Sequence, residues 1–139
     1  MITKAVQSFL SNQSTITAIV STRIYPHHIS GKPNPTYPAL THQLKGNNHQ
    51  DILSGGAGYS IARIAIDCWA THPGTIETLA EAVRLKMQGY SGLMGATQVD
   101  RANLVNEFDM DEPPKDGSNQ WLYRRVMEFS LRYQEAVPS

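Results

Sequence analysis

The amino-acid sequence predicts an α+β domain, built as a mixed, mostly antiparallel twisted sheet with helices on one face. Three segments with different hydrophobic periods predict this class. Apolar residues recur at alternate positions over Tyr59 to Ala70, at helical spacing over Thr75 to Gln88, and again at alternate positions over Trp121 to Tyr133. The chain is 139 residues long and has no repeat, low-complexity tract or linker, so residues 1–139 are predicted to form a single domain.

The start of the chain predicts two helices followed by a short strand. The first helix carries apolar residues on one face: Ile2, Val6, Phe9 and Leu10. Asn12 and Gln13 interrupt it, and Ser14 is the type of residue that caps a second short helix. Arg23 to Pro26 is predicted to be extended and to end at the proline.

Two loops are predicted, one on each side of a strand over Tyr37 to Leu44. His27 to Thr36 contains a glycine and two prolines, which interrupt regular structure. Gly46 to Gly58 is polar at first and then glycine-rich, so we expect a loop that is mobile in the free chain and ordered on assembly. The candidate partner-contact residues of this loop are His49, Asp51, Ile52 and Leu53.

The clearest strand, Tyr59 to Ala70, has two different faces. One face is apolar throughout, with Ala62, Ile64, Ile66 and Cys68. The other is mixed, with Ile61, Arg63, Ala65, Asp67 and Trp69. The apolar face is expected to contact the core. The mixed face is either half-solvated or buried between subunits.

A helix is predicted next, over Thr75 to Gln88. Thr75 is the expected cap, Glu77 is expected in the first turn, and Gly89 and Gly92 follow the end. The apolar stripe of the helix is formed by Ile76, Leu79, Ala80, Val83 and Met87.

The last part of the chain predicts a hairpin. A strand from about Ala96 to Phe108 loses its alternation near Ala102, which indicates a bulge. Asp111 to Asn119 contains adjacent prolines and an Asp-Gly pair, which favour a turn. In the final strand, Trp121 to Tyr133, Arg125 is the one charge on a face of large apolar residues.

The composition argues against several classes of function. The 12 basic and 12 acidic residues balance, which argues against non-specific nucleic-acid binding, and we expect no specific nucleic-acid binding. No apolar run is long enough to span a bilayer and the first residues lack the pattern of a signal peptide, so we expect no membrane association and a cytosolic protein when made. The single cysteine, Cys68, excludes an intrachain disulfide and a cysteine-rich zinc site.

No set of residues in the sequence predicts catalysis. The histidines lack the spacing of a zinc helix, and His27 and His28 are interpreted as solvated loop residues rather than metal ligands. Cys68 lies on an apolar strand face, where a thiol is inert. Gly55 to Gly58 lacks the ending of a phosphate-binding loop, and the acidic residues from Asp109 to Asp116 lack the order of a calcium loop. We therefore predict no enzymatic activity, no metal and no cofactor.

Two charges, Asp67 and Arg125, lie in strands among apolar neighbours. Either they mark a catalytic or docking site, or Asp67 forms a structural ion pair with Arg63 or Arg125. We favour the ion pair, placed at a sheet face or a subunit contact. The candidate subunit interface comprises Ile61, Arg63, Asp67, Trp69 and Arg125.

Three stretches of the chain resemble the tail-completion, or tail-terminator, protein family of long-tailed bacteriophages and prophages. Thr17 to Pro26 resembles the short helix of that family and its Arg-Ile-Tyr-Pro turn. Ala62 to Ala70, with Leu79 to Arg84, resembles its central strand and helix, and Leu122 to Phe129 resembles its last strand. The likeness extends, in order, over nearly the whole chain.

The resemblance implies a structural virion protein that forms a ring, expected to be a hexamer, at the head-proximal end of the tail. Contacts that close on rotation produce such rings. The ring would terminate the tail tube and join it to the head connector. Its partners would be copies of itself, the tail tube protein and the head connector or head-completion protein. It would be found in the virion and, during assembly, in the host cytoplasm. The family has no catalytic residues to transfer to this chain.

Three other functions are compatible with the sequence. A head–tail adaptor or neck protein of the same virion would differ in the surfaces that its ring contacts. A small metal-dependent hydrolase would use Asp67 and the histidines. A bacterial adaptor domain unrelated to phage would lack tail-tube and head-completion genes beside its own.

Overall fold

The computed structural model of the chain describes residues 2–29, 35–52, 55–114 and 117–135. Its elements, in chain order, are α1 (Ile2–Ser11), α2 (Ser14–Val20), β1 (Ile24–Pro26), β2 (Ala39–Ile52), β3 (Gly55–Ala70), α3 (Pro73–Met87), β4 (Gly92–Met94), β5 (Thr97–Asp109) and β6 (Tyr123–Gln134). The helices within these ranges are all too short or too polar to cross a membrane. The predicted α+β class is confirmed.

The six strands form one sheet in the order β1-β2-β3-β6-β5-β4. β1 pairs with β2 in parallel, and the other four neighbouring pairs are antiparallel, so the predicted mixed, mostly antiparallel sheet is confirmed. The predicted hairpin of the last two long strands is β5–β6. The short strand β4, at the edge beside β5, was not predicted from the sequence.

The three helices cover one face of the sheet, and the core lies between them. The predicted apolar stripe of α3 is buried there, together with apolar residues of α1 and α2. The inward residues of β3 are those that the alternation predicted: Ala62, Ile64, Ile66 and Cys68. Burying side chains of the size of Phe129 and Leu131 stabilises the fold by roughly 1.5–3 kcal/mol each. We call this side of the sheet the helix face and the opposite side the outer face.

Both predicted helix caps are wrong. Ser14 is the first residue of α2 rather than the residue before it. α3 begins at Pro73, ahead of Thr75, because a proline at the first helical position loses no hydrogen bond and has the right φ angle. Glu77 consequently lies beyond the first turn of α3, where a side-chain partner holds it instead of the helix dipole.

The prediction of a loop over Gly46 to Gly58 is also wrong. Apart from residues 53–54, which lie outside the described ranges, this segment forms the paired ends of β2 and β3, with His49 opposite Ser60. Polar residues and glycines are poor strand formers, so the local pattern pointed away from a strand. Backbone hydrogen bonds to the neighbouring strand keep the segment extended. These bonds join residues that are apart in sequence, so a local sequence pattern does not predict them.

The irregularity predicted near Ala102 is confirmed. The register of β5 against β6 shifts between Val99 and Arg101, and again between Leu104 and Asn106. A bulge adds one residue to one strand, so all side chains after it change faces. The second shift therefore decides which side of the sheet the end of β5 presents to solvent.

Candidate assembly surface

The outer face of β3 and β6 carries a close ion pair. Arg124 donates from Nε and from a terminal nitrogen to Oδ2 of Asp67, at 2.9 and 2.6 Å. The Asp67 side chain is 11% exposed and the Arg124 side chain 28%. The ion pair expected for Asp67 is present, but its partner is Arg124 instead of Arg63 or Arg125.

Trp69 completes this cluster on the outer face. The guanidinium carbon of Arg124 lies 4.7 Å from the centre of the Trp69 ring, and Trp69 Nε1 donates to Thr41 Oγ1 at 2.9 Å. The indole N–H and the cation are both satisfied within one chain. Asp67 and Trp69, two residues of the candidate interface, therefore have a structural role in the single subunit.

A cleft of about 420 Å³ opens beside this cluster. Asp67 and Arg124 line it together with His28, Tyr37 and Glu112. Burial, with the nearby carboxylate of Glu112, raises the pKa of Tyr37, so its hydroxyl stays protonated. The cleft can accept a side chain of a partner, but these lining groups supply no activated nucleophile.

Arg125 lies on the helix face, apart from the other four candidate interface residues, because consecutive strand residues point to opposite sides. Its Nε donates to Asp109 Oδ1 at 2.8 Å, and its terminal nitrogens donate to Glu77 at 2.7 and 3.1 Å. The hydrogen bonds to Glu77 and Asp109 raise the pKa of Arg125, and the same contact lowers the pKa of Glu77. Arg125 therefore lies on the face of β6 that carries the large apolar residues, as predicted, on the opposite side of the sheet from Asp67 and Trp69, and it joins α3 to the β5–β6 hairpin.

Ile61 and Arg63 are the exposed members of the candidate interface, on the outer face beside β2. Ile61 is 37% exposed and lies opposite Asn48. Arg63 lies opposite Gly46, which has no side chain to cover it. Among the five candidate residues, these two are the most accessible to a partner.

His49 is the one candidate partner-contact residue whose side chain the structure describes. Its Nδ1 lies 2.8 Å from Ser60 Oγ, and 2.8 and 2.9 Å from the two carboxylate oxygens of Glu135. Hydrogen bonds from Ser60 and His49 lower the pKa of Glu135. The side chains of the other three candidates are outside the described part of the structure: Asp51, Ile52 and Leu53. Their contact with a partner stays a prediction.

The Ser60, His49 and Glu135 side chains do not form a catalytic triad. In a triad the histidine uses one ring nitrogen for the serine and the other for the acid. Here Ser60 and Glu135 both meet Nδ1 of His49, and Ser60 also donates directly to Glu135. Ser60 is fully buried, out of reach of a substrate. The cluster fastens the chain after β6 to the β2–β3 hairpin.

The remaining titratable groups of interest are buried. Within the described ranges, no three His, Cys, Asp or Glu side chains are placed to hold a metal. His42 Nε2 lies 2.6 Å from Gln7 Oε1, and burial, with a smaller effect of His27, lowers the His42 pKa to about 4. Burial raises the pKa of Cys68 far above the range in which a thiolate forms. These groups therefore serve the fold.

A set of exposed apolar side chains at the end of β5 was missed by the sequence interpretation. Val105, Phe108 and Met110 are 46%, 37% and 49% exposed. Uninterrupted alternation from Leu104 would put Phe108 on the helix face, but the bulge at Val105 places it opposite Val126 on the outer face. The available signal was the change of alternation within this strand.

Comparison with known proteins identifies a shared fold. No family model and no curated protein matches the chain. Among solved structures, a chain from the virion of a native gene transfer agent particle has a similar fold, with a TM-score of 0.66 and 16% sequence identity. The match covers 96% of this chain and 95% of that chain, so the two share their architecture over nearly their full lengths.

Proposed function

We propose that this chain is a structural component of a phage-like virion, without enzymatic activity. The observation that carries the proposal is the fold shared with the gene transfer agent virion chain over 96% of this chain. A match that leaves almost no residues over on either chain supports a comparable single-domain component. In the described ranges, no three His, Cys, Asp or Glu side chains are placed to hold a metal, and Ser60, His49 and Glu135 lack the geometry of a triad.

Within that virion, we place the chain at the head–tail junction, where it terminates the tail tube and connects it to the head. This finer position rests on the resemblance of three sequence stretches to tail-completion proteins. The proposed partners are further copies of the chain in a ring, expected to be a hexamer, the tail tube protein and the head connector. Exposed apolar side chains such as Phe108 and Met110 support a protein that works by contact.

A head–tail adaptor in the neck is the alternative position. Both proteins would form rings with two contact faces, so the fold suits both. They differ in what stops when the protein is missing. A terminator ends the growth of the tail tube, whereas an adaptor attaches heads to tails that have already reached their length.

Deleting the gene from the genome that carries it, followed by electron microscopy of the particles, tests the proposal. Loss of a terminator is expected to give tailless heads and tubes of irregular, extended length. Loss of an adaptor is expected to give tailless heads with free tails of normal length. The control is the same strain with the intact gene supplied in trans. Normal numbers of infectious, tailed particles from the deletion strain would overturn the proposed function.

A further inference from the structure

The two edges of the sheet are each half covered by a short strand. β1 pairs with β2 only at Leu40 to His42, so Gln43 to Gln50 has no strand beyond it within the described ranges. β4 pairs with β5 only at Thr97 to Val99. An unpaired strand edge presents a row of free backbone N–H and C=O groups that can pair with another chain.

The chain segment after α3 extends the cover on β5 as far as Leu104. Ala102 N donates to Tyr90 O at 2.9 Å, and Gln88 accepts from the backbone N of Leu104. Beyond that point the described residues provide no partner for the outer edge of β5, from Val105 to Asp109. The open part of the β5 edge therefore includes the exposed apolar residues Val105 and Phe108, and Met110 follows directly after it.

We propose that the open edge of β5 pairs with the open edge of β2 of a second copy of this chain, extending the sheet from one subunit to the next. This inference deepens the proposed function and rests on it, since it assigns the contact that builds the ring. The occupant is a second copy because the two edges match in direction, in position and in charge.

Direction is the first match. β2 and β6 run one way, while β3 and β5 run the other way. When a second copy continues the sheet in the same orientation, its β2 meets β5 antiparallel, the pairing with the stronger hydrogen-bond geometry. The contact joins two different edges, so it is heterologous and repeats from subunit to subunit until a rotation closes it.

Position is the second match. The ladder places Asn106 level with Gln43, through Glu128 and Ala65. The open part of β5 therefore lies beside the open part of β2 of the second copy only when that copy is displaced along the strand direction. The displacement is about four residues, or ~13 Å.

Each subunit contributes four long strands to the extended sheet, a width of about 19 Å. A displacement of ~13 Å over that width corresponds to strands tilted by roughly 35° from the axis of a closed sheet, within the range found in barrels. The pairing is limited to about five residues of β5, because the chain after α3 covers this strand as far as Leu104 and Met110 to Glu112 continue along β6. The parts of the second copy on either side of the new pair must therefore bend out of the plane of the sheet.

Charge is the third match. The end of β5 and the residues after it, 105–112, contain four acidic residues and no basic residue. Arg125 neutralises part of this charge within the subunit, because it pairs with Glu107 and Asp109, and the remainder is still negative. The open part of β2, 43–50, contains Lys45 and no acidic residue, and Arg63 is exposed beside it on β3. Lys45 Nζ donates a hydrogen bond to Gln43 Oε1 on the same strand at 3.1 Å, and its charge is not paired with a described carboxylate. Opposite potentials steer the two edges together and disfavour pairing of an edge with its own kind.

Apolar side chains on the same two edges would be covered by this contact. Phe108 and Met110 are exposed at the β5 edge, and Ile61 is exposed beside the β2 edge. All three belong to the outer face by the register of their strands or, for Met110, by its backbone hydrogen bond to Arg124. The accessible members of the candidate subunit interface, Ile61 and Arg63, thus belong to the contact on the β2 side.

Cysteine cross-linking tests the inference, because the native Cys68 is buried and does not react. Asn48→Cys marks the β2 edge and Asn106→Cys marks the β5 edge, and both positions are exposed on the outer face. A short bismaleimide tolerates an imprecise register. The double variant is expected to give a ladder of covalent oligomers in the purified protein and in particles. A mixture of the two single variants should give dimers only, and each single variant alone should stay monomeric.

The matched control is Asn48→Cys with Leu85→Cys, since Leu85 is 65% exposed on α3, away from both edges. In parallel, Phe108→Asn is expected to weaken self-association at least about tenfold in sedimentation velocity, while its circular dichroism stays unchanged. Three results would overturn the inference. They are dimers of Asn106→Cys formed without the β2 cysteine, a ladder of equal strength in the control, and the absence of a ladder from both the purified protein and the particles. Deletion of the gene tests the proposed function separately, so particles that need the chain but lack the ladder would remove only the edge pairing.

Discussion

The Asp67–Arg124 pair shows how a charge is accommodated in this sheet. Asp67 is largely buried, so its carboxylate depends on the guanidinium for the hydrogen bonds that water would otherwise supply. Trp69 covers the other side of that guanidinium. An Asp67→Arg substitution would place two cations together against Trp69, and we expect it to destabilise the single subunit before any ring contact is affected.

Replacing Arg124 tests this interpretation. Arg124→Met keeps the aliphatic length but leaves the partly buried Asp67 carboxylate without its partner, so the free energy of unfolding is expected to fall by about 1–3 kcal/mol. Arg132→Met is the matched control, because Arg132 also lies over an aromatic ring, that of Tyr59, yet its side chain is 52% exposed. The control should lose less than about 1 kcal/mol. Equal losses in urea denaturation would contradict a structural role for the Asp67 pair.

His42 gives a pH-dependent contribution to stability. Its pKa is lowered from 6.5 to about 4 in the folded chain, so the unfolded chain binds more protons between these values. Its contribution is fully present above pH 6.5 and is lost as the pH falls toward about 4. The slope contributed by one group is at most about 1.4 kcal/mol per pH unit.

Urea denaturation of His42→Gln across this pH range should show a smaller slope of unfolding free energy than the native chain. His72→Gln, at an exposed position, is the control for replacing a histidine by glutamine. The comparison uses the slope of the unfolding free energy against pH. Loss of the His42–Gln7 contact lowers the unfolding free energy by the same amount at every pH, so it leaves this slope unchanged. A His42 imidazole that titrates near its ordinary pKa by NMR would contradict the assignment.

At the scale of elements, the β2–β3 hairpin illustrates how pairing overrides local preference. Residues from Gly46 to Ile52 are polar or glycine for the most part, yet they run as a strand because β3 provides hydrogen-bond partners along their length. The His49, Ser60 and Glu135 side chains add a fastening at the far end.

Hydrogen exchange distinguishes this strand from a loop. Between Gln43 and His49 of β2, the amides that point to β3 should exchange slowly in the free subunit. They alternate along the strand except at the register shift between Leu44 and Gly46. The amides of Ser118 and Asn119, which lie outside the strands, should exchange fast and serve as the internal control. Uniformly fast exchange through β2 would support the loop instead.

At the scale of the whole molecule, the chain has the properties of a component that acts through contacts. Three titratable groups of the described ranges join elements: Arg125 joins α3 to the β5–β6 hairpin, His42 joins β2 to α1, and Glu135 joins the last residues to β2. Three of the exposed apolar side chains, Val105, Phe108 and Met110, lie together at the end of β5. Surfaces of this kind mark sites of association.

Replacing side chains of types that often carry catalysis, such as cysteine and histidine, should therefore leave assembly intact. We expect a chain with Cys68→Ala, His27→Asn and His28→Asn to restore tailed particles to the deletion strain as well as the intact gene does. Phe108→Asn is the contrasting variant and should restore few. The measurement is the yield of tailed particles by electron microscopy. Failure of the first variant, with its fold intact by circular dichroism, would point to chemistry at these residues.

Some features of this protein were determined by the sequence itself. The apolar face of Tyr59 to Ala70, the stripe of α3 and the paired last strands follow from hydrophobic period, which is a property of neighbouring residues and survives in any context that offers a core. The presence of an ion pair at Asp67 followed from the cost of burying a lone charge.

Only the tertiary structure decided the partner of Asp67, the extended course of Gly46 to Ile52 and the outward turn of Phe108. Each depends on which strand lies beside which, and in what register, because hydrogen bonds between strands join residues far apart in sequence. A single bulge near Val105 reverses the faces of everything that follows it in β5. Local periodicity therefore predicted what this chain buries, and the sheet register decided what it presents to a partner.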